Sequence, residues 1–274
     1  HGAEGPSNTI TCGEASGRLS VGEAARVIER GDADACFAGG AEDKLGLMGM
    51  ARMHVARRLA DTGDSIEPVQ FCRPYDAHAP GGLLGEGGAV MILESAETAA
   101  DRGRTPHARV SGCGAGQSGL AMSGLVEPAN EPPAINRGLA CAIEAALDDA
   151  GIASADIDAI APAAMGVAWL DRAERGALEQ VFGDRLPDIP TISTRPFIGE
   201  CMAGAGALQL AVAARVMRDQ TLPARLHGTG DATSKSLGID AGPAQAQSAS
   251  LNHVLVCSTS TGGQNAAVVL SRAT

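Results

Sequence analysis

The sequence predicts an α/β fold of stacked layers built from two related halves, on three observations. Short apolar runs with strand character alternate with helical stretches: ADACFAGG (33–40), GGAVMILE (87–94), HVLVCS (253–258) and AAVVLS (266–271). Two Gly-Glu corners open similar segments, GEASGRLSVGEAARVIERGD (13–32) and GECMAGAGALQLAVAARVMRD (199–219). Both close on AARV followed by an apolar residue, as duplicated halves would. The second segment is apolar all round, the mark of a central buried helix.

Each element follows in order. Thr9–Ile10–Thr11–Cys12 is β-rich and reads as a strand running into the first corner. The stretch 16–30 reads as a helix with Leu19, Val21, Ala24, Ala25, Val27 and Ile28 on a broad apolar face. Strands at 33–40 and 87–94 enclose an irregular Gly-, Pro- and Arg-rich insertion at 41–86. A polar crossover at 97–104 leads to HARVSGCG (107–114), which starts the second half. A helix at 134–150 carries Ile135, Leu139, Ile143 and Leu147 at intervals of four. The apolar stretch 157–164, a helix at 171–182 and the helix at 199–219 follow. An antiparallel pair around TSTGGQN closes the chain. The halves divide at 1–104 and 105–274.

Composition narrows the function. The chain has 274 residues, 45% of them hydrophobic, enough for a sizeable core. A net charge of −11 argues against a phosphate backbone as partner, and four Phe, one Trp and one Tyr offer few platforms for stacking bases. Nucleic acid is therefore not an expected partner. Seven scattered cysteines without a CxxC fit a reducing cytoplasm better than a disulfide framework. The six histidines show neither HExxH nor HxxxH spacing, so no metal site is expected. No apolar run reaches the ~18–20 residues of a membrane span, and no signal-peptide pattern opens the sequence. The expectation is a soluble cytoplasmic protein.

Four segments in order resemble the β-ketoacyl-acyl carrier protein synthases, condensing enzymes of thiolase fold. GPSNTITCGEASGRLSVGEAARVIERGDADACFAGGAED (5–43) resembles the nucleophile segment and the strand after it. RPYDAHAPGGLLGEGGAVMILE (73–94) matches the family's R-P-F-D, gap and G-E-G-A-G pattern. STRPFIGECMAGAGALQLAVAARVMRDQTLPARL (193–226) resembles the segment with the catalytic Lys and second His, and TSTGGQNAAVVL (259–270) the closing hairpin. The resemblance implies a thiolase-like αβαβα layering with an incomplete N-terminal half. The family places roughly a third of its chain ahead of the segment where this sequence starts. That part is expected as a separate polypeptide, and the chain alone is expected to aggregate.

The same resemblance exposes four departures. Glu14 stands at the position of the acyl-accepting Cys, Ala163 at the first His, Glu200 at the second His and Arg195 at the Lys. Ser258–Thr259–Ser260–Thr261 replaces the Phe-rich gating loop. Condensation needs a low-pKa thiolate to take the acyl group, and imidazole donors for the enolate and oxyanion. A glutamate holds no stable thioester, alanine has no donor, and an ionised Glu200 repels an enolate. No catalytic residue is therefore expected. The pattern resembles the chain-length factor, or β subunit, of type II polyketide ketosynthases, with LDRAERGALEQVFG (170–183) in support. Such subunits usually carry Gln at the nucleophile position, so Glu14 departs there too. The resemblance implies pairing with an active ketosynthase. Acyl carrier protein would be an indirect partner, its phosphopantetheine arm read at that other subunit, with no cofactor bound by this chain. The alternatives are a decarboxylase or acyltransferase with atypical residues, and a stand-alone acyl-binding protein.

Several residues carry competing readings. Glu14 reads as a carboxylate kept at a helix N-terminus by the dipole, as a group pairing with the partner, or as an unusual catalyst. Cys12 and Cys201 read as small buried thiols in a strand and an apolar helix rather than relocated nucleophiles. GAGQSG (114–119) matches GxGxxG, but no helix follows at once and no acid lies about 20 residues on. The family's equivalent loop lines the acyl tunnel, the better reading. Arg52, Arg57 and Arg58 read as a solvated basic patch, with carrier-protein contact as the alternative. Finally, pseudo-twofold symmetry should bring Glu14 and Glu200 together, and two buried anions require a counter-charge. Arg195 is the first expected partner, then Arg18 or an Arg of the N-terminal part.

Overall fold

A computed structural model of the chain describes residues 2–65, 67, 70–119, 134–226, 236–239 and 242–273. Residues 66, 68 and 69 of the expected insertion and parts of the second half lie outside them. A 3-10 turn at Gly13–Ala15 leads into α1 (Ser16–Glu29), followed by β1 (Ala35–Asp43), α2 (Leu47–Val55), β2 (Glu86–Glu94) and α3 (Ala96–Asp101). The second half runs β3 (Arg109–Gln117), α4 (Arg137–Ala150), β4 (Ala159–Ala161), α5 (Ala168–Phe182), α6 (Arg195–Ile198) and α7 (Ala203–Asp219). A two-residue pair, β5 (Thr221–Leu222) with β6 (Gln247–Ser248), precedes the hairpin β7 (His253–Thr259) and β8 (Gln264–Ser271).

These elements form four layers among the described residues. The sheet β3-β8-β7-β4 is antiparallel except where β4 runs parallel to β7. Strands β4, β7 and the middle of β8 read as unbroken apolar runs because both of their faces are buried. Leu255, Cys257, Ala267 and Val269 pack under α4 and α5, while Val254, Val256, Val268 and Leu270 face α1 and α7. The two central helices are flanked on their far side by the antiparallel pair β1–β2, whose Cys36, Ala38, Met91 and Leu93 join the same cluster. Helix α4 lies on β3 backbone to backbone. A Cβ on Gly112, Gly114 or Gly116 would sit 2.2, 2.0 or 2.1 Å from a carbonyl oxygen of α4 or of its first turn, so only glycine permits that approach. Asn136 caps α4 by accepting from the Leu139 amide at 3.0 Å, and its amide donates to Thr259 and Asn265 of the hairpin.

Several expectations are corrected. Thr9–Cys12 is not a strand: it pairs with no strand among the described residues, whereas Thr191, ahead of the second corner, bridges to Ile160 of β4. The strand expected at 33–40 runs on to Asp43, and the irregular insertion contains α2. The crossover at 97–104 is largely the short helix α3. Helix α4 starts at Arg137, leaving Ile135 outside it and 39% exposed. GAGQSG is mainly the end of β3, not a phosphate-binding loop. The helix expected from 199 starts at Ala203, so Cys201 sits in the link before it, and Glu42 rather than Glu200 accepts from the Ala203 amide. All seven cysteines are free. No described helix is long and apolar enough to cross a membrane.

Candidate functional site

The first corner presents Glu14 fully buried. Gly13 makes the turn at φ +54°, and a Cβ there would lie 2.3 Å from Ser260 Oγ, so the hairpin packs directly on the corner. The Glu14 carboxylate accepts from the Thr261 amide at 3.0 Å, from Thr261 Oγ1 at 2.9 Å, and from Arg58 Nη1 at 2.5 Å. Burial would raise its pKa. The charge of Arg58 and the Thr261 amide outweigh burial and hold it down at about 2. Glu14 is therefore an anion whose lone pairs are spent on the protein.

Arg58 overturns the basic-patch reading. Arg52 and Arg57 are exposed, but Arg58 is 3% exposed and points inward. Its guanidinium also bonds Thr261 Oγ1 and touches Met165 Sδ. Arg18, an expected partner of Glu14, reaches only its backbone carbonyl, at 3.5 Å, and otherwise donates to Gln209 of α7. Burial lowers the pKa of Arg18 to about 10.

The second corner pairs as expected. Arg195 Nη1 lies 2.6 Å from Glu200 Oε1, with 4% and 12% of the two side chains exposed. Glu200 also accepts from the Met202 amide at 2.7 Å, and Arg195 Nε donates to the Ala163 carbonyl at 3.3 Å. Burial would lower the pKa of Arg195, but the charge of Glu200 and its hydrogen bond, with a smaller contribution from Glu14, raise it.

Ala163 lies in loop 162–166, which is held by two carboxylates of the LDRAE stretch (170–174) that the sequence reading takes only as a family resemblance. Asp171 and Glu174, three apart on α5, turn both carboxylates into it. Glu174 accepts from the amides of Ala163 (2.7 Å) and Ala164 (2.9 Å), and Asp171 from those of Met165 (2.9 Å) and Gly166 (3.1 Å). Tyr75 joins both, its hydroxyl on Glu174 at 2.8 Å and its amide on Asp171 at 3.0 Å. Four consecutive amides make an anion-binding nest that the chain fills itself. Burial, then the charge of Glu174, pushes Asp171 up to about 7; burial likewise raises Glu174. The available signal was the i, i+3 spacing on the same helix face as Leu170, Ala177 and Leu178.

The chemistry of the site is that of closed ion pairs. No imidazole stands at 14, 163 or 200. Cys201 is buried and burial raises its thiol pKa, as it does that of Cys257; neither is a ready thiolate. Cys12 is half-buried, its amide on Ser16 Oγ. Among the described residues no His, Cys, Asp or Glu group is arranged to hold a metal.

With this geometry in view, comparisons place the chain among known proteins. The beta-ketoacyl synthase N-terminal domain matches residues 1–99 and the beta-ketoacyl synthase C-terminal domain residues 107–229. A 3-oxoacyl-(acyl-carrier-protein) synthase 2 of Rhizobium meliloti (strain 1021) is 33% identical across 100% of this chain and 62% of its own length. A putative polyketide beta-ketoacyl synthase 1 of Streptomyces cyaneus is 30% identical over 98% of this chain and 61% of its own. The chain thus spans about three fifths of these relatives. Among solved structures, the ishigamide ketosynthase/chain length factor superposes with a TM-score of 0.81 at 28% identity, covering 97% of this chain and 61% of the other. A ketosynthase in complex with its chain length factor from Xenorhabdus doucetiae gives 0.77 at 25%, covering 98% and 60%. The thiolase-like ketosynthase fold is shared with all of them.

Proposed function

From the premise that this chain belongs to the beta-ketoacyl synthase family, we propose that it is a non-catalytic ketosynthase-like subunit, a chain-length factor. It pairs with an active ketosynthase, completes it and helps shape the tunnel for a carrier-bound polyketide or fatty acyl chain. The observation that carries this reading is Glu14. The corner where the family presents its acyl acceptor holds a buried anion engaged by Arg58 and Thr261. Neither Ala163 nor the Arg195–Glu200 pair supplies the donors that decarboxylation and condensation require. Structural likeness to ketosynthase/chain length factor complexes supports the pairing. The carrier's phosphopantetheine arm would then be read at the ketosynthase, and this chain binds no cofactor.

The relatives' names, all of synthases, favour a second reading: a decarboxylase or acyltransferase working through atypical residues. Treating the co-purified complex with an electrophilic acyl-pantetheine probe separates the two. Intact mass should show the probe on the ketosynthase and none on this chain. A stoichiometric adduct on this chain supports the catalytic reading instead.

A further inference from the structure

Arg58 reaches the interior from an unusual direction. It follows α2 in the connection to β2, where Arg57 turns the chain at φ +52°. Its backbone is pinned on both sides. The Arg58 amide donates to the Met53 carbonyl at 3.1 Å, and its carbonyl accepts from the Gly82 amide at 2.9 Å. The side chain then enters a space bounded by three segments: the corner at Glu14, the hairpin turn at Thr261 and loop 162–166 at Met165. These are the segments in which the family resemblance puts the acyl acceptor, the gate and the first His.

We propose that Arg58 is a plug: its guanidinium and methylenes occupy this subunit's own acyl chamber and make it a blind wall of the acyl path. Arg58 is thereby a specificity-determining residue for chain length, an assignment that rests on the chain-length-factor reading above. A guanidinium so deeply buried needs compensation, and here an anion faces it. That requirement explains why the corner residue is a carboxylate. Glu14 anchors the plug, and an amide or alanine at that corner would leave the guanidinium uncompensated. Thr261 contributes too: its hydroxyl reaches both partners and its amide completes the carboxylate's shell.

Two charge-neutral double variants separate a plug from a merely structural ion pair, because neither strands a buried charge. E14Q/R58M keeps the volume filled; E14Q/R58A empties it. Both are co-purified with the ketosynthase and compared by product chain length. E14Q/R58A should shift the distribution toward longer chains, and E14Q/R58M should keep the parental one. Equal distributions in all three proteins, or the same shift in both variants, overturn the plug. A second arm uses R58A and methylguanidinium as the probe. At about ten times its Kd, it should raise the Tm of R58A by about 2–4 °C, with methylammonium giving less and E14Q/R58A showing no gain. No specific gain in folded R58A, or an equal gain in the parent, means that no closed slot anchored by Glu14 exists. This arm needs no product, so it judges the plug even if no ketosynthase co-purifies, which counts against the functional reading alone.

Discussion

In the sheet β3-β8-β7-β4, alternate residues of β7 and β8 are buried on both sides, under α4 and α5 on one face and against α1 and α7 on the other. In the pair β1–β2 the inner residues meet the same central helices, but Phe37, Val90 and Ile92 are 60%, 68% and 64% exposed on the outer face. Their sequences look alike: AVMIL in β2 is as unbroken an apolar run as AVVL in β8. A strand's composition therefore records how many faces it is built to bury, not how many this chain covers. Among the described residues, these three side chains leave the outer face of β1–β2 largely exposed. The two Gly-Glu corners differ in a parallel way. Glu200 is neutralised by Arg195, five residues back and ahead of the same helix, whereas Glu14 is neutralised by Arg58, from a separate connection 44 residues on.

The largest effect should come from breaking the non-local pair. Arg58→Ala strands a buried carboxylate and should destabilise by about 3–5 kcal/mol, while E14Q/R58M, which replaces the pair, should cost far less. Urea unfolding of the assembled complex reads both; equal losses would mean that packing rather than charge dominates the corner.

The two sheets give the next contrast. Leu255→Ala, at a fully buried position of β7, should cost about 2–5 kcal/mol. Ile92→Ala, on the bare face, should stay within about 0.5 kcal/mol in the isolated chain. A large cost for Ile92→Ala only in the complex would show that the face is covered there, and a large cost in both would remove the contrast. Exchanging Phe37, Val90 and Ile92 for Thr should also reduce aggregation of the isolated chain, measured by light scattering.

Loop 162–166 is expected to respond less. Tyr75→Phe removes a hydrogen bond to a buried carboxylate and should cost about 1.5–3 kcal/mol. The most gradual effect is that of pH. Glu14, held at about 2 in the fold, contributes stability that is complete above its ordinary 4.5 and is lost as pH falls toward 2. Asp171, pushed up to about 7 by burial and then Glu174, does the reverse. Its fold holds the proton more tightly than the unfolded chain, so stability declines as pH rises from about 4 to 7, by at most about 1.4 kcal/mol per unit. Denaturation at stepped pH should therefore show an optimum on the acid side of neutrality. A flat profile between pH 4.5 and 7 would argue that Asp171 is ionised throughout.

Periodicity and local motif were enough for the alternation of strands and helices, the central buried helices, the closing hairpin and the two corners, because the chemistry that shapes them lies within a few residues of each. The Arg195–Glu200 pair was legible for the same reason. Arg58 was not: side by side with Arg52 and Arg57 it reads as surface charge, and only the turn at Arg57 and the bridge between Leu59 and Gly82 aim it inward. Thr9–Cys12 carries strand chemistry, yet a strand exists only where a neighbour accepts its hydrogen bonds, and among the described residues none does. The role of Asp171 and Glu174 was hidden likewise, since a carboxylate's partners here are backbone amides, which no side-chain pattern announces. Sequence by itself determined most of the strands and helices and the carboxylate at each Gly-Glu corner. Tertiary structure alone decided which charges meet, because burial makes an ion pair out of whichever cation the fold delivers.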